Sequence, residues 1–71
     1  MPTPRVEYDA EANAAYIYLV EEILRGGVAR TVSVDPREGM MVNLDLDSAG
    51  RIIGIEVLGA RSLLSPDLLR D

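Results

Sequence analysis

The chain contains no cysteine, histidine, lysine, tryptophan or phenylalanine among its 71 residues. Without cysteine there can be no disulfide, no thiolate metal site and no cysteine nucleophile. Without histidine the chain lacks the commonest general base and the commonest zinc ligand. These absences exclude most familiar catalytic and zinc-binding arrangements, so we expect that the protein is not an enzyme and carries no cofactor.

Positive charge is scarce and scattered. Seven arginines oppose twelve carboxylates, which gives a net charge of −5. Binding to a phosphate backbone requires clustered Lys or Arg side chains. The arginines here occur singly along the chain, so we expect no nucleic-acid partner.

The length of the chain predicts one small domain spanning residues 1–71. A domain of this size removes only about 60% of the unfolded chain's surface from water. Its core contributes roughly 3–5 kcal/mol, so such domains often need a partner subunit. The N-terminus lacks the layout of a signal peptide, and no apolar run approaches the ~20 residues needed to cross a bilayer. We therefore expect a cytoplasmic protein that does not enter membranes.

Three segments show the alternation of a β-sheet. Residues 41–47 (MVNLDLD) and 51–58 (RIIGIEVL) place apolar side chains at every second position, and residues 28–35 (VARTVSVD) do the same except that Arg30 takes one of these positions. This period of two predicts strands. The intervening segments, DPREG and DSAG, have the composition of turns, with Pro36 fixing φ and Gly39 able to take a positive φ. We predict three consecutive antiparallel strands with short connections.

The opening stretch from Tyr8 to Val20 (YDAEANAAYIYLV) supports two interpretations. An amphipathic helix is favoured by apolar side chains spaced at i, i+3, i+4, i+7 and i+8 from Tyr16, with Gly26 and Gly27 positioned to end it. A β-hairpin is favoured by the density of aromatic and β-branched residues and by the short strand-like segment VEY that precedes Asp9.

Several motifs resemble a known family. They are YDAEANAAYIYL from Tyr8, VARTV from Val28, and VNLD followed by GRIIGIEVL between Val42 and Leu58. Over residues 5 to 60 the chain is similar to the short bacterial proteins grouped as domain of unknown function 2283. The resemblance implies strand, turn and strand for the first motif, and it implies no activity. The segment VEEILRGG is longer than the polar turn expected there, so strand and helix both stay open for residues 20–25.

With this hairpin, the predicted fold is mainly β (a β-rich α+β fold). It is a five-stranded antiparallel meander with a short C-terminal helical segment. Ser65, Pro66 and Asp67 form a helix start. The leucines around this start are available to cover one side of the sheet; they are Leu63, Leu64, Leu68 and Leu69.

The second predicted strand is apolar on both faces, which is typical of a strand covered on both sides. If the C-terminal leucines cover one side, the other side, carrying Tyr16, Tyr18 and Val20, is a candidate interface. Tyrosine suits such a surface because it combines a large apolar ring with a polar group. We therefore predict a homo-oligomer, a dimer or larger. The alternative is that these tyrosines shield a monomeric sheet.

The segment from Asp45 to Glu56 (DLDSAGRIIGIE) partly matches a calcium-binding loop. Asp45, Asp47 and Glu56 occupy the positions of ligands in an EF-hand loop. However, Ala49 stands where a fourth side chain should donate oxygen, and the flanking segments are predicted strands. The alternative is a hairpin turn with a solvated acidic face.

Two functions follow from these patterns. The first is a self-associating protein-interaction module without catalytic activity, whose surface also has room for an unknown protein partner. The alternative is divalent cation binding, specifically calcium, through the Asp45–Glu56 loop. Carboxylate-based hydrolysis is disfavoured because it needs a cleft that desolvates one member of an acid–base pair.

Overall fold

A computed structural model describes residues 4–69 as one antiparallel sheet followed by two short helical turns. The predicted mainly β fold, with five antiparallel strands and a short C-terminal helical segment, is confirmed. The elements are β1 (Arg5–Asp9), β2 (Ala14–Tyr18), β3 (Arg30–Val34), β4 (Met41–Leu46), β5 (Ile52–Leu58), α1 (Ala60–Leu63) and the 3-10 turn η1 (Pro66–Leu69).

The strand order is β1-β2-β5-β4-β3. The meander therefore comprises β3, β4 and β5, whereas a meander of all five strands would have placed β3 beside β2. The reason lies in the segment 19–29, which is too long for a tight hairpin and carries the chain to the opposite edge of the sheet. As a result β5, the last strand in the sequence, becomes the centre of the sheet.

The sheet has one apolar face, whose core is centred on Val57. Val57 and Ala15 are directly opposite each other on neighbouring strands and are almost completely buried, as is Ala60. The apolar side chains packed on this cluster come from β1, β2, β5 and the C-terminal segment. They are Val6, Tyr8, Ile17, Ile55, Leu63, Leu64 and Leu69.

The C-terminal segment covers only one side of this face. The helix α1 packs against β2, and η1 packs against β1. Leu63, Leu64 and Leu69 reach the core as predicted, whereas Leu68 is 46% exposed. Within residues 4–69, no helix has the length and the apolar character needed to cross a membrane.

The turn between β1 and β2 holds the start of α1. The carbonyl of Asn13 accepts hydrogen bonds from the N–H groups of Gly59 and Ala60, at 2.9 and 3.0 Å. The side-chain oxygen of Asn13 accepts a third, from the N–H of Arg61 at 2.9 Å. Asn13 has a φ of 52°, in the left-handed region that asparagine tolerates better than most residues. One residue thus joins the first hairpin to the C-terminal segment.

Residues 20–25, for which strand and helix were both open, form neither. The strand β2 ends at Tyr18, and the chain bends at residues 19–21 before a turn at Arg25 and Gly26. The apolar side chains whose spacing favours a helix do not share one face of an element. Tyr16 belongs to a strand, whereas Leu24 is 66% exposed in the segment that follows. Tertiary pairing with β5 therefore overrides the local preference for a helix.

Replacing Asn13 with alanine is expected to lower the free energy of unfolding by about 1–3 kcal/mol, since it removes the bond to Arg61 and forces a side chain with a Cβ into the left-handed region without compensation. Asn13→Gly loses the same bond but relieves the backbone strain, so it should cost less. Urea denaturation of the three proteins measures the difference. Equal losses in both variants would show that the backbone conformation contributes nothing.

Candidate functional site

The second face of the sheet is mostly polar, and its side chains form three groups of hydrogen bonds. We refer to it as the polar face. Because side chains alternate along each strand, the registers place polar side chains from all five strands on it. Eight of these side chains form hydrogen bonds with one another. They are Glu7, Tyr16, Tyr18, Thr31, Ser33, Asn43, Asp45 and Glu56.

At the centre of the polar face, Tyr16 reaches across β5 to β4. Its hydroxyl donates a hydrogen bond to Oδ2 of Asp45 at 2.6 Å. Gly54 of β5 lies directly opposite Asp45 and beneath the ring, where a Cβ would come within 2.6 Å of the ring carbon Cζ of Tyr16. The bond between β2 and β4 therefore exists because the intervening strand has no side chain at this position.

The hydrogen bonds continue from this centre to the edge strand β3. The other carboxylate oxygen of Asp45 accepts a bond from the hydroxyl of Thr31 at 2.7 Å. In the neighbouring row Ser33 donates to Asn43 at 2.7 Å, and Asn43 donates to Glu56 at 2.8 Å. These side chains connect three strands in parallel rows and thereby fix their register.

The surroundings of Tyr16 raise its pKa above the usual tyrosine value of 10.0. The main cause is burial of the hydroxyl, and the hydrogen bond to Asp45 and that residue's negative charge add to it. A tyrosinate beside Asp45 would place two negative charges in contact. The pair is therefore held as a neutral phenol donating to a carboxylate.

The three residues predicted as an interface lie in different surroundings. The Tyr18 ring lies edge-on to Tyr16, with ring centroids 4.8 Å apart. Its hydroxyl donates to Glu7 at 3.2 Å, and the Arg5 guanidinium lies 4.0 Å from its ring centre. Val20 lies beyond the end of β2, in the bend that follows. The polar groups of both tyrosines are thus paired within the chain, and their role as an interface stays a prediction.

The three predicted calcium ligands have separate partners. Asp45 accepts from Tyr16 and Thr31, and Glu56 accepts from Asn43. Asp47 lies past the end of β4, and its side chain accepts from the N–H groups of Ala49 and Arg51, both at 2.9 Å, which closes the hairpin turn. Among residues 4–69 no group of three or more carboxylates is arranged to hold a metal ion. Calcium binding stays a hypothesis that calorimetric titration can test. If Asp45 is a ligand, calcium should produce heat with the wild-type protein and not with Asp45→Asn. No heat with the wild-type protein, or equal heat with both, would reject it.

Sequence reasoning missed the central role of Gly54. A lone glycine inside a strand often marks a close approach by another group, and this pattern was present in the segment RIIGIEVL. It also missed Thr31 and Ser33, whose hydroxyls lie on the polar face of β3. Their partners could not be identified without the register of β3 against β4.

A further feature is the uncovered part of the apolar face. Val32 and Val34 of β3 lie directly opposite Leu44 and Val42 of β4, on the same face as Val57. The C-terminal segment packs on the other half of the same face, against β1 and β2. Val34 is 46% exposed, and the other three side chains are half-buried. We call these four residues the open half of the apolar face.

Comparison with known protein families finds a match over residues 5–61 with the family described as "Protein of unknown function (DUF2283)". This match confirms the resemblance inferred from the motifs. No curated protein and no solved structure matches the chain significantly.

Replacing Tyr16 with phenylalanine should lower the free energy of unfolding by about 1–2 kcal/mol at neutral pH, because it leaves the carboxylate of Asp45 without one of its donors. Tyr18→Phe removes a more exposed bond and should cost less. A loss as large from Tyr18→Phe would contradict the central role of the Tyr16 bond.

Tyr16→Phe should also change how the free energy of unfolding depends on pH. Because the pKa of Tyr16 is higher in the folded state than in the unfolded state, folding favours the protonated phenol. Its contribution is complete below the unfolded pKa and is lost as the pH rises toward the folded one. Between about pH 9 and pH 12 the wild-type protein should therefore lose more stability than Tyr16→Phe. Urea denaturation at a series of pH values measures the free energy of unfolding of both proteins. If it falls equally with pH in both, this prediction is contradicted.

Proposed function

This chain belongs to the DUF2283 family of proteins of unknown function, and from that premise we propose that it is a self-associating protein-interaction module without catalytic activity. The observation that carries the proposal is the open half of the apolar face. Exposed apolar side chains grouped on one surface are typical of a protein–protein contact. A chain of 71 residues with only four buried apolar residues among those described gains stability by covering such a surface.

The distribution of charge supports a second copy of the chain as the partner. Each copy carries a net charge of −5, so two copies must meet where carboxylates are few. Glu7 and Asp9 lie on β1, and Asp45 and Glu56 lie on the polar face. Strand β3, in contrast, has no carboxylate between Arg30 and Val34. The edge strand without a carboxylate therefore also carries the exposed Val34 and the half-buried Val32.

The polar face supports a structural role for its carboxylates. Asp45 and Glu56, the two residues that could have acted as an acid–base pair, each accept a hydrogen bond from a side chain of another strand. The oxygens of Asp45 both accept such bonds. Carboxylates used in this way hold strands together and are poorly placed to accept a proton from a substrate.

Val34→Lys tests the proposal, since Val34 is 46% exposed and lysine there need not disturb the monomer. The wild-type protein should form a multiple of its 7.7 kDa chain mass in native mass spectrometry and sedimentation. The dissociation constant of the Val34→Lys assembly should be about tenfold higher than that of the wild type. Leu68→Lys is the matched control, because Leu68 has the same 46% exposure but lies in η1, and it should associate normally. A wild-type protein that stays monomeric at every concentration would refute the proposal.

The tyrosine surface is a second candidate for the same contact, and one variant separates the two. The double replacement Tyr18→Ser and Val20→Ser removes two of the three predicted interface residues while keeping the bond between Tyr16 and Asp45. If association proceeds through the open half, this variant should associate as the wild type does. Loss of association with a retained unfolding transition would instead place the contact on the tyrosine side.

A further inference from the structure

The two edges of the sheet differ in how well they resist pairing with another strand. Edge strands expose unpaired backbone N–H and C=O groups, which another chain can use to extend the sheet. The edge strand β1 has charged side chains at Arg5, Glu7 and Asp9, that is, at every second position. It is also in contact with η1. Charges and a covering segment are the usual protection of an edge.

The opposite edge strand, β3, has neither protection over most of its length. Its sequence is RTVSV, and the four residues after Arg30 carry no formal charge. Threonine and valine have high β-propensity. Four of its five residues are exposed, and Val32 is half-buried. This strand is therefore the better template for an added strand.

We propose that a second copy of the chain pairs with this edge, β3 against β3 in antiparallel orientation, with Val32 on the two-fold axis. The inference rests on the proposed function, because it specifies how the self-association takes place. The pairing would join the five strands of each copy into one continuous sheet.

The sequence of β3 is self-complementary in this register. A two-fold axis perpendicular to the sheet keeps each face on the same side in both copies, so residues of the apolar face meet residues of the apolar face. Val32 faces Val32 of the second copy, and Thr31 faces Ser33. Val34 faces Arg30, whose aliphatic stem can lie along the valine while its charged end stays in water. No carboxylate is placed opposite another.

The register can be tested with a single introduced cysteine, since the chain has none of its own. Directly opposed residues of antiparallel strands have Cα atoms about 4.5–5.5 Å apart, within the range of about 4.4–6.8 Å that a disulfide requires. Val32→Cys should therefore form a covalent dimer under mild oxidation. Val34→Cys is the matched control, because its two copies would be four residues out of register, about 13 Å apart, and should not cross-link.

Each outcome of this experiment is informative. A covalent dimer from Val32→Cys alone supports the pairing and its register. Cross-linking from Val34→Cys alone overturns the register. If mass spectrometry shows a dimer and neither cysteine cross-links, edge pairing is overturned while the proposed self-association stands. If the mass stays that of a monomer, the proposed function itself fails.

A pair of charge variants provides a second measurement without a covalent bond. In the double variant Thr31→Lys/Ser33→Lys, each lysine faces a lysine of the second copy; in Thr31→Lys/Ser33→Glu, each lysine faces a glutamate. Both variants lose the same hydroxyl bonds to Asp45 and Asn43. The double-lysine variant should have a dissociation constant about tenfold higher than the lysine–glutamate variant.

Net charge alone predicts the reverse order for these two variants. The double-lysine variant is less negative than the lysine–glutamate variant, so overall repulsion between its copies is weaker. Tighter association of the double-lysine variant would therefore overturn the pairing of β3 with β3.

Discussion

The contact of Tyr16 with Asp45 over Gly54 is the interaction on which the arrangement of the sheet depends. The sheet consists of a hairpin, β1–β2, and a meander, β3–β4–β5, and these two parts are joined by the pairing of β2 with β5. Backbone bonds connect only adjacent strands, whereas the Tyr16 side chain spans β5 and reaches β4. A side chain at position 54 would displace the ring, so one glycine permits the hairpin to bond to the meander beyond its immediate neighbour.

The two faces of the sheet differ in how their side chains are paired. On the polar face, hydroxyl, amide and carboxylate groups pair with one another from β1 to β3, so the polar groups stabilise the sheet from within. On the apolar face, the C-terminal segment covers β1 and β2, and the valines of β3 stay partly exposed. The part of the apolar face that the C-terminal segment leaves uncovered therefore lies at the end of the sheet farthest from α1 and η1.

The sequence predicted the strands well where each strand has one apolar and one polar face. The alternation in residues 41–47 and 51–58 indicated β4 and β5 because a half-buried strand imposes a period of two. It could not predict that β5 lies between β2 and β4, since strand order depends on contacts between distant segments. The spacing from Tyr16 to Leu24 suggested a helix for the same reason: local pattern does not record that Tyr16 pairs with β5. Likewise Asp47 resembled a metal ligand, although its carboxylate closes a turn.

The difference between the edges would also limit how far the proposed self-association proceeds. Two copies joined through β3 would present β1 at both outer edges of the combined sheet. Adding a third copy would require pairing with a strand whose alternate residues are Arg5, Glu7 and Asp9 and which η1 contacts. Charged side chains and a covering segment protect an edge strand from pairing, so such growth would be opposed. An edge strand whose only charge is Arg30, opposite an edge strand with three charged residues, would therefore favour a closed dimer over an extended fibre.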